Sequence, residues 1–312
     1  MENLLLSFHV IAPLMLYLGI GALLRAARAA DAAVFRGVNN IVFYVALPAL
    51  CYLKIAASDL SDMVKTPFLL YIALAILLLY ALSSLLVPRF CRDDNRRGVL
   101  ILGVFRSNDA IFGLGVAAAL LGDDHLTLMT LAIALTVPLF NILSVIVMER
   151  YRGGSVKIGP LLLRVLKNPI LLGCLAGFAA NFTHLALPDF LNSSLSSFAA
   201  LTTPLAFISL GGTMRFAALK KNAPAIVTVS VLRLIVVPLC VIGAFLLLGF
   251  RGEPIVVAMI IFGAPVAMVT YTMASAVGAD DELAGGLLAV TSLLSIVTMF
   301  LFIFTFKSLG VF

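Results

Sequence analysis

Residues 98–124 read GVLILGVFRSNDAIFGLGVAAALLGDD, and residues 253–281 read EPIVVAMIIFGAPVAMVTYTMASAVGADD. Both are apolar runs that close on an acidic pair, and both are interrupted at the same offset. Arg106-Ser107-Asn108 in the first stands 157 residues before Gly263-Ala264-Pro265 in the second. Phe105 and Phe262 keep that offset, as do Asp123-Asp124 and Asp280-Asp281. Further out, Pro13 and Pro48 lie 35 residues apart, and Pro169 and Pro204 repeat the spacing 156 residues later. Half of 312 residues is 156, so the duplication fills the chain as 1–156 and 157–312. Two apolar halves with interrupted segments in matching places form the pattern of secondary transporters.

Hydrophobic residues make up 62% of the chain and charged residues 12%, about half the charged share of a soluble domain. The charges cluster between apolar runs, as in a multi-pass membrane protein. Residues 4–24 carry no Lys, Arg, Asp or Glu. The run is too long for a signal peptide, ends on no small-residue cleavage site and has a counterpart in the second half. Cys51, Cys91, Cys174 and Cys240 form no CxxC pair, so neither a metal site nor a disulfide is expected. No cofactor is expected. The net charge of +6 comes from residues flanking the apolar runs and does not point to nucleic acid.

Ten apolar segments are expected, at 4–24, 34–53, 67–87, 98–121, 126–148, 166–183, 195–216, 223–250, 254–278 and 283–306. About 20 residues are needed to cross the hydrocarbon core. Of the 21 Lys and Arg, 15 fall on the odd-numbered connections and four on the opposite side; Arg106 and Arg233 lie inside segments. The positive-inside bias places both termini outside the cytoplasm of a cytoplasmic-membrane protein. Five crossings per half then turn the second half upside down, giving two inverted five-helix repeats in an all-α fold.

The chemistry is expected at the interruptions. Eight residues separate Gly98 from Arg106, about 12 Å of helix and close to mid-bilayer. Ser107, Asn108 and Asp109 compete for backbone hydrogen bonds, and Pro265 removes a donor and clashes with the preceding turn. Two broken helices bring amino ends inward, with unsatisfied N–H groups and partial positive charge suited to an anion. Asn108, Ser107 and Arg106 are candidate carboxylate ligands. Thr270, Tyr271 and Thr272 follow the second break and are candidate substrate contacts beside Pro265, set against a packing role. Arg106 and Asp109, at i and i+3, either neutralise each other on one helical face or leave Asp109 as a proton-coupling group. Arg233 is either a partner of Asp109 or the lining of an aqueous cavity. Asn39, Asn40 and Asn141 line the path or bond helix to helix. His9 reads as interfacial, the Asp pairs as solvated caps, and Pro13, Pro48, Pro169 and Pro204 as helix kinks.

VNNIVFYVALPAL (38–50), GVFRSNDAIFGLG (103–115), KNPILLGCLAG (167–177), TPLAFISLGGTM (203–214) and FGAPVAMVTYTMA (262–274) resemble, in order, the auxin efflux carrier family. That family includes plant PIN-type exporters and bacterial malate or malonate permeases. The connection between segments five and six is short, as in compact bacterial members. The resemblance implies a fold like that of bile-acid and sodium/proton carriers, with helices 4 and 9 crossing. It implies a scaffold domain of helices 1, 2, 6 and 7, which carries Pro48 and Pro204. It also implies a transport domain of helices 3–5 and 8–10, a homodimer and elevator-type alternating access. Asn108 aligns with the family's crossover asparagine, which binds substrate carboxylate. No asparagine stands beside Pro265, a departure from the plant members.

The expected function is a secondary active transporter of small organic anions: mono- or dicarboxylates such as malate or malonate, or auxin-like acids. Coupling is to H+, to Na+ or to the membrane potential alone. The alternative is a sodium-coupled bile-acid-type symporter or a cation/proton antiporter. An enzyme is not expected, because the chain has no HExxH, no GxSxG and no pair of aspartates inside two apolar segments.

Overall fold

The computed structural model describes residues 2–57, 67–122, 126–152, 166–167, 169–184, 187–213 and 219–312. Asp123-Asp124, Lys65, Lys157, Arg164 and Arg215 lie outside them, as do the side chains of His9, Arg152, Lys220, Lys221 and Thr272. The regular structure of the described residues is all helical, with one isolated antiparallel bridge and no strand.

The first half contains α1 (Glu2–Ala26), α2 (Ala32–Ile41), a π turn (Val42–Ala46) and α3 (Leu47–Ala56), then α4 (Phe68–Phe90) and α5 (Asp94–Phe105). A second π turn (Asp109–Gly113), α6 (Leu114–Leu121) and α7 (Thr127–Arg152) follow. The second half contains α8 (Pro169–Thr183), α9 (Asp189–Ala200), α10 (Thr202–Thr213) and α11 (Leu219–Val231). A third π turn (Leu232–Val236), α12 (Val237–Leu247), α13 (Glu253–Gly263), α14 (Met268–Val277) and α15 (Asp281–Ser308) complete it.

Among the described residues six helical stretches are long and apolar enough to cross a membrane: Ala32–Ala56, Phe68–Phe90, Thr127–Tyr151, Asp189–Thr213, Asn222–Leu247 and Asp281–Ser308. Shorter apolar helices stand where the fourth, sixth and ninth segments were expected, Asp109–Leu121, Pro169–Thr183 and Glu253–Gly263, while α1 runs through the first as one helix. For the fourth and ninth the cause is the interruption itself. Each is a pair of helices, α5 with α6 and α13 with α14, separated by extended backbone.

Short polar residues set the helix starts. Asp31 accepts from the N–H groups of Ala33 and Val34, both at 2.9 Å, to open α2. Asp93 accepts from Asn95 N–H at 3.0 Å to open α5, and Asp280 from Leu283 N–H at 2.9 Å to open α15. Asp280 also pairs with Arg96 at 3.4 Å, and its N–H donates to the Asn95 carbonyl, so the starts of α5 and α15 meet. The prolines act in different ways. Pro13 lies within the continuous α1, whereas Pro169 opens α8 and Pro204 sits in the first turn of α10, so these last two begin helices rather than kink them. Pro48 and Pro238 each come two residues after a π turn. A proline cannot donate to the carbonyl four residues back, and the wider turn accommodates the loss.

Most of the extensive helix contacts fall in two groups, which α1 joins by also lying along α15. In one, α1 lies on α10, α10 on α2, and α3 on α8 and α9; in the other, α5 lies on α4 and α7, α15 on α11 and α14, and α12 on α13. Close backbone approach holds the first group together. A Cβ on Gly21 would lie 1.9 Å from the Ile208 carbonyl oxygen, and one on Gly211 2.0 Å from that of Leu18. Glycine allows helices to meet at a separation that no larger residue permits.

Candidate functional site

The two interruptions lie side by side. Pro265 has no N–H and pushes the residue before it out of the helical region, so Ala264 is extended at φ −65°, ψ 152° and α13 stops at Gly263. The first break has no proline. Arg106 is extended at φ −83°, ψ 111°, and Asn108 N–H donates to the Pro265 carbonyl at 3.0 Å. Ala267 N–H donates to the Arg106 carbonyl at 3.4 Å, closing an antiparallel bridge between Ser107 and Val266. The Ser107 hydroxyl donates to the Ile261 carbonyl at 2.5 Å, and Val266 N–H to the Thr291 hydroxyl at 3.1 Å. Each break therefore supplies the hydrogen-bond partners that the other lacks.

Arg233 completes the junction from the third π turn. It is 1% exposed and donates to Ala264 O and Ile261 O at 3.0 Å, Val104 O at 3.3 Å and Phe105 O at 3.4 Å. These carbonyls belong to the ends of α5 and α13, where helices leave acceptors unpaired and carry partial negative charge. Arg233 was expected either as a partner of Asp109 or as cavity lining; its hydrogen bonds go to the main chain, where the guanidinium clamps two helix C-termini. Its charge still acts on Asp109 across the junction.

A cavity of about 300 Å³ opens against the breaks, lined by Arg106, Ser107, Asn108 and Asp109 on one side. Asn39, Asn40, Phe43 and Tyr44 face them, with Val137, Phe140 and Asn141 from α7 and Ala267 to Val269 closing the remainder. The structure thus gathers Asn108, Ser107, Arg106, Asp109 and Asn40 at one cavity. Pro265, Thr270, Tyr271 and Arg233 are not among its lining residues, nor are Pro48 and Pro204. Pro265 and Thr270 are buried behind the break, and Pro48 lines a separate depression between α3, α8 and α9.

The donors on the cavity wall differ in what they already hold. Arg106 does not share a helical face with Asp109, because the helix ends at Phe105. Its Nη1 donates to Phe140 O at 3.0 Å and to the Ser144 hydroxyl, and its Nη2 to Asn141 Oδ1 at 2.6 Å. Asp109 accepts from the Thr136 hydroxyl. Two donors remain unspent: Arg106 Nε and Asn108 Nδ2, buried and without a partner, on residues 4% and 5% exposed. A buried donor left unmade costs about 1–3 kcal/mol, so these two groups favour an acceptor that enters the cavity. Thr136 and Ser144 escaped the sequence reading. They lie eight residues apart on one face of α7, with Phe140 between them. Among the described residues no cluster of His, Cys, Asp or Glu fits a metal ion.

Two broken, mutually paired helices with unspent donors at an internal cavity, in a chain of long apolar helices, define a membrane carrier. Residues 6–303 match the family model described as membrane transport protein, and the chain belongs to that family, the auxin efflux carriers. It is embedded in a membrane as a transport protein. It is 26% identical over 277 residues to an uncharacterized transporter of Methanocaldococcus jannaschii, covering 84% of this chain and 86% of the relative. It is 25% identical over 268 residues to an uncharacterized transporter of Methanothermobacter thermautotrophicus, with 84% and 86% covered. It is also 24% identical over 274 residues to a Rhizobium meliloti protein named "Putative malonate transporter", with 84% of each chain covered.

Proposed function

We propose that the protein is a secondary active transporter of small organic anions, with mono- or dicarboxylates bound at the paired helix breaks. The observation that carries this reading is the pair of buried, unpartnered donors, Asn108 Nδ2 and Arg106 Nε, at a cavity of about 300 Å³. Ligand pockets begin near that size, so the cargo is small. A carboxylate offers acceptors to both donors at once, and an anion gains from the amino ends of the helices that follow each break. The name borne by the Rhizobium meliloti relative brings a three-carbon diacid within this class.

In this reading the chain crosses the membrane ten times as two inverted repeats, 1–156 and 157–312, with both termini outside the cytoplasm. Transport follows elevator-type alternating access in a homodimer. The two packing groups support it: α1–α3 with α8–α10 act as the scaffold, and α4–α7 with α11–α15 carry the anion. The sodium-coupled alternative finds less support, because the carbonyls at the two helix C-termini already accept from Arg233.

A thermal-shift screen of purified protein against organic acids, with and without sodium and at two pH values, tests the reading, since a ligand of the native state raises its apparent stability. Carboxylates are expected to stabilise the protein without sodium. Asn108→Ala should abolish that shift while the protein stays folded, and unchanged binding removes the residue from the site. Arg106→Gln should weaken dicarboxylates more than monocarboxylates; an equal effect on both assigns the guanidinium to holding α7.

A further inference from the structure

Among the described residues three charged side chains are buried: Arg106, Asp109 and Arg233, at 4%, 2% and 1% exposure. Two cations face one carboxylate. The four helix ends at the junction nearly cancel, two C-termini against two N-termini, each worth about half an elementary charge. What remains is about one uncompensated positive charge, at the cavity wall where Arg106 Nε lacks a partner. A net charge deep in an apolar medium is costly, and neutralising it is the strongest electrostatic gain open to a ligand.

We propose that Asp109 matches its protonation to the charge of the cargo: the cavity takes a monoanion with Asp109 ionised, and a dianion together with one proton on Asp109. This rests on the organic-anion reading above and adds a proton stoichiometry to it. A monoanion cancels the excess charge directly. A dianion carries it to minus one, and the group that restores neutrality must be titratable, buried and at the cavity. Asp109 meets all three conditions. The other groups facing it cannot substitute. Arg106 and Arg233 stay protonated in proteins. α7 offers the Thr136 hydroxyl, while its ionisable Glu149 and Arg150 lie 13 residues or more further along the helix. Glu253 opens α13 ten residues before the break, and α6 and α10 carry no ionisable residue. Tyr44 at the cavity and Tyr271 on α14 carry phenols, not carboxylates. The Thr136 hydroxyl donates to the carboxylate and, on rotation, accepts from the carboxylic acid, so both forms keep a partner.

The experiment is isothermal titration calorimetry of the full chain in nanodiscs with malonate and with propionate, in two buffers of different ionisation enthalpy. Malonate should bind with uptake of about one proton and propionate with none; malonate affinity should weaken about ten-fold per unit between roughly pH 7 and 8.5 while propionate affinity stays flat. Asp109→Asn imitates the protonated form. It should bind malonate with no proton uptake and no pH slope, and lose affinity for propionate. Malonate uptake near zero in the unaltered protein, or uptake that persists in Asp109→Asn because the ligand itself carries the proton, overturns the assignment and leaves the anion site standing. Failure of both anions to bind the folded, unaltered protein overturns the anion reading itself. If Asp109→Asn does not fold, infrared difference spectra of the unaltered protein with 13C-labelled malonate decide instead: a protonated-carboxyl band that the label leaves unshifted belongs to the protein, and one that shifts belongs to the ligand and overturns the assignment.

Discussion

At the scale of single residues, the junction depends on a cation whose partners are all main-chain atoms. Arg233 satisfies carbonyls from both interrupted segments, and only a forked guanidinium reaches four acceptors from one side chain. An apolar replacement of similar length leaves those acceptors buried without a donor. Each orphaned group costs about 1–3 kcal/mol, so Arg233→Met is expected to destabilise the protein by about 3 kcal/mol or more. Arg233→Lys keeps the charge but concentrates it at one point and should fall between the two. Chemical denaturation of the detergent-solubilised protein measures both, and equal stability of Arg233→Met and the unaltered protein refutes the clamp.

Among the elements, the two breaks look alike but have different origins. At the second, Pro265 dictates the local geometry from sequence alone. Even so, Pro265→Ala should cost only about 1 kcal/mol, because the Pro265 carbonyl still accepts from Asn108 and the Val266 N–H still reaches Thr291. Thr291→Val, nearly isosteric, should cost more, about 1–3 kcal/mol, since it strands the buried Val266 N–H. Thermal unfolding of the two variants tests that order. The same contrast explains what the sequence could reveal. Both interruptions were legible: one from the proline rule, the other from polar residues at mid-depth of an apolar run. Asn108, Ser107, Arg106 and Asp109 were readable for that reason as neighbours at a break, and they line one cavity. The clamp by Arg233 was not, because a charge inside an apolar segment advertises itself while its acceptors, Val104 and Phe105 some 130 residues away, are ordinary backbone. Thr136 and Ser144 stayed hidden for a different reason: hydroxyls in apolar helices commonly bond their own preceding turn, as Thr130 does with Leu126 here.

For the molecule as a whole, close contacts within a packing group and between groups should respond differently to the same substitution. Gly211 belongs to α10, and an added Cβ would lie 2.0 Å from the Leu18 carbonyl oxygen of α1, in the same group. Backbone cannot yield as a side chain can, so Gly211→Ala must force α1 and α10 apart and lose packing worth about 1–3 kcal/mol or more. Gly115 belongs to α6, and its added Cβ would meet the Phe207 ring at 2.8 Å and the Thr203 methyl at 3.0 Å, both on α10 of the other group. If the groups move as bodies, separating them relieves that clash without unfolding either. A conformational equilibrium shifts only by the difference in free energy a change makes to its two states. Gly211→Ala is therefore expected to lower the unfolding temperature by several degrees whether or not an anion is present. Gly115→Ala should leave that temperature within about 2 °C and instead change the apparent anion affinity several-fold, by altering how often the binding-competent arrangement is populated. Thermal unfolding and anion titration on both variants make the comparison. An equal loss of stability from the two substitutions, with anion affinity unchanged, means that the groups are one rigid body and that access to the cavity does not come from their relative movement.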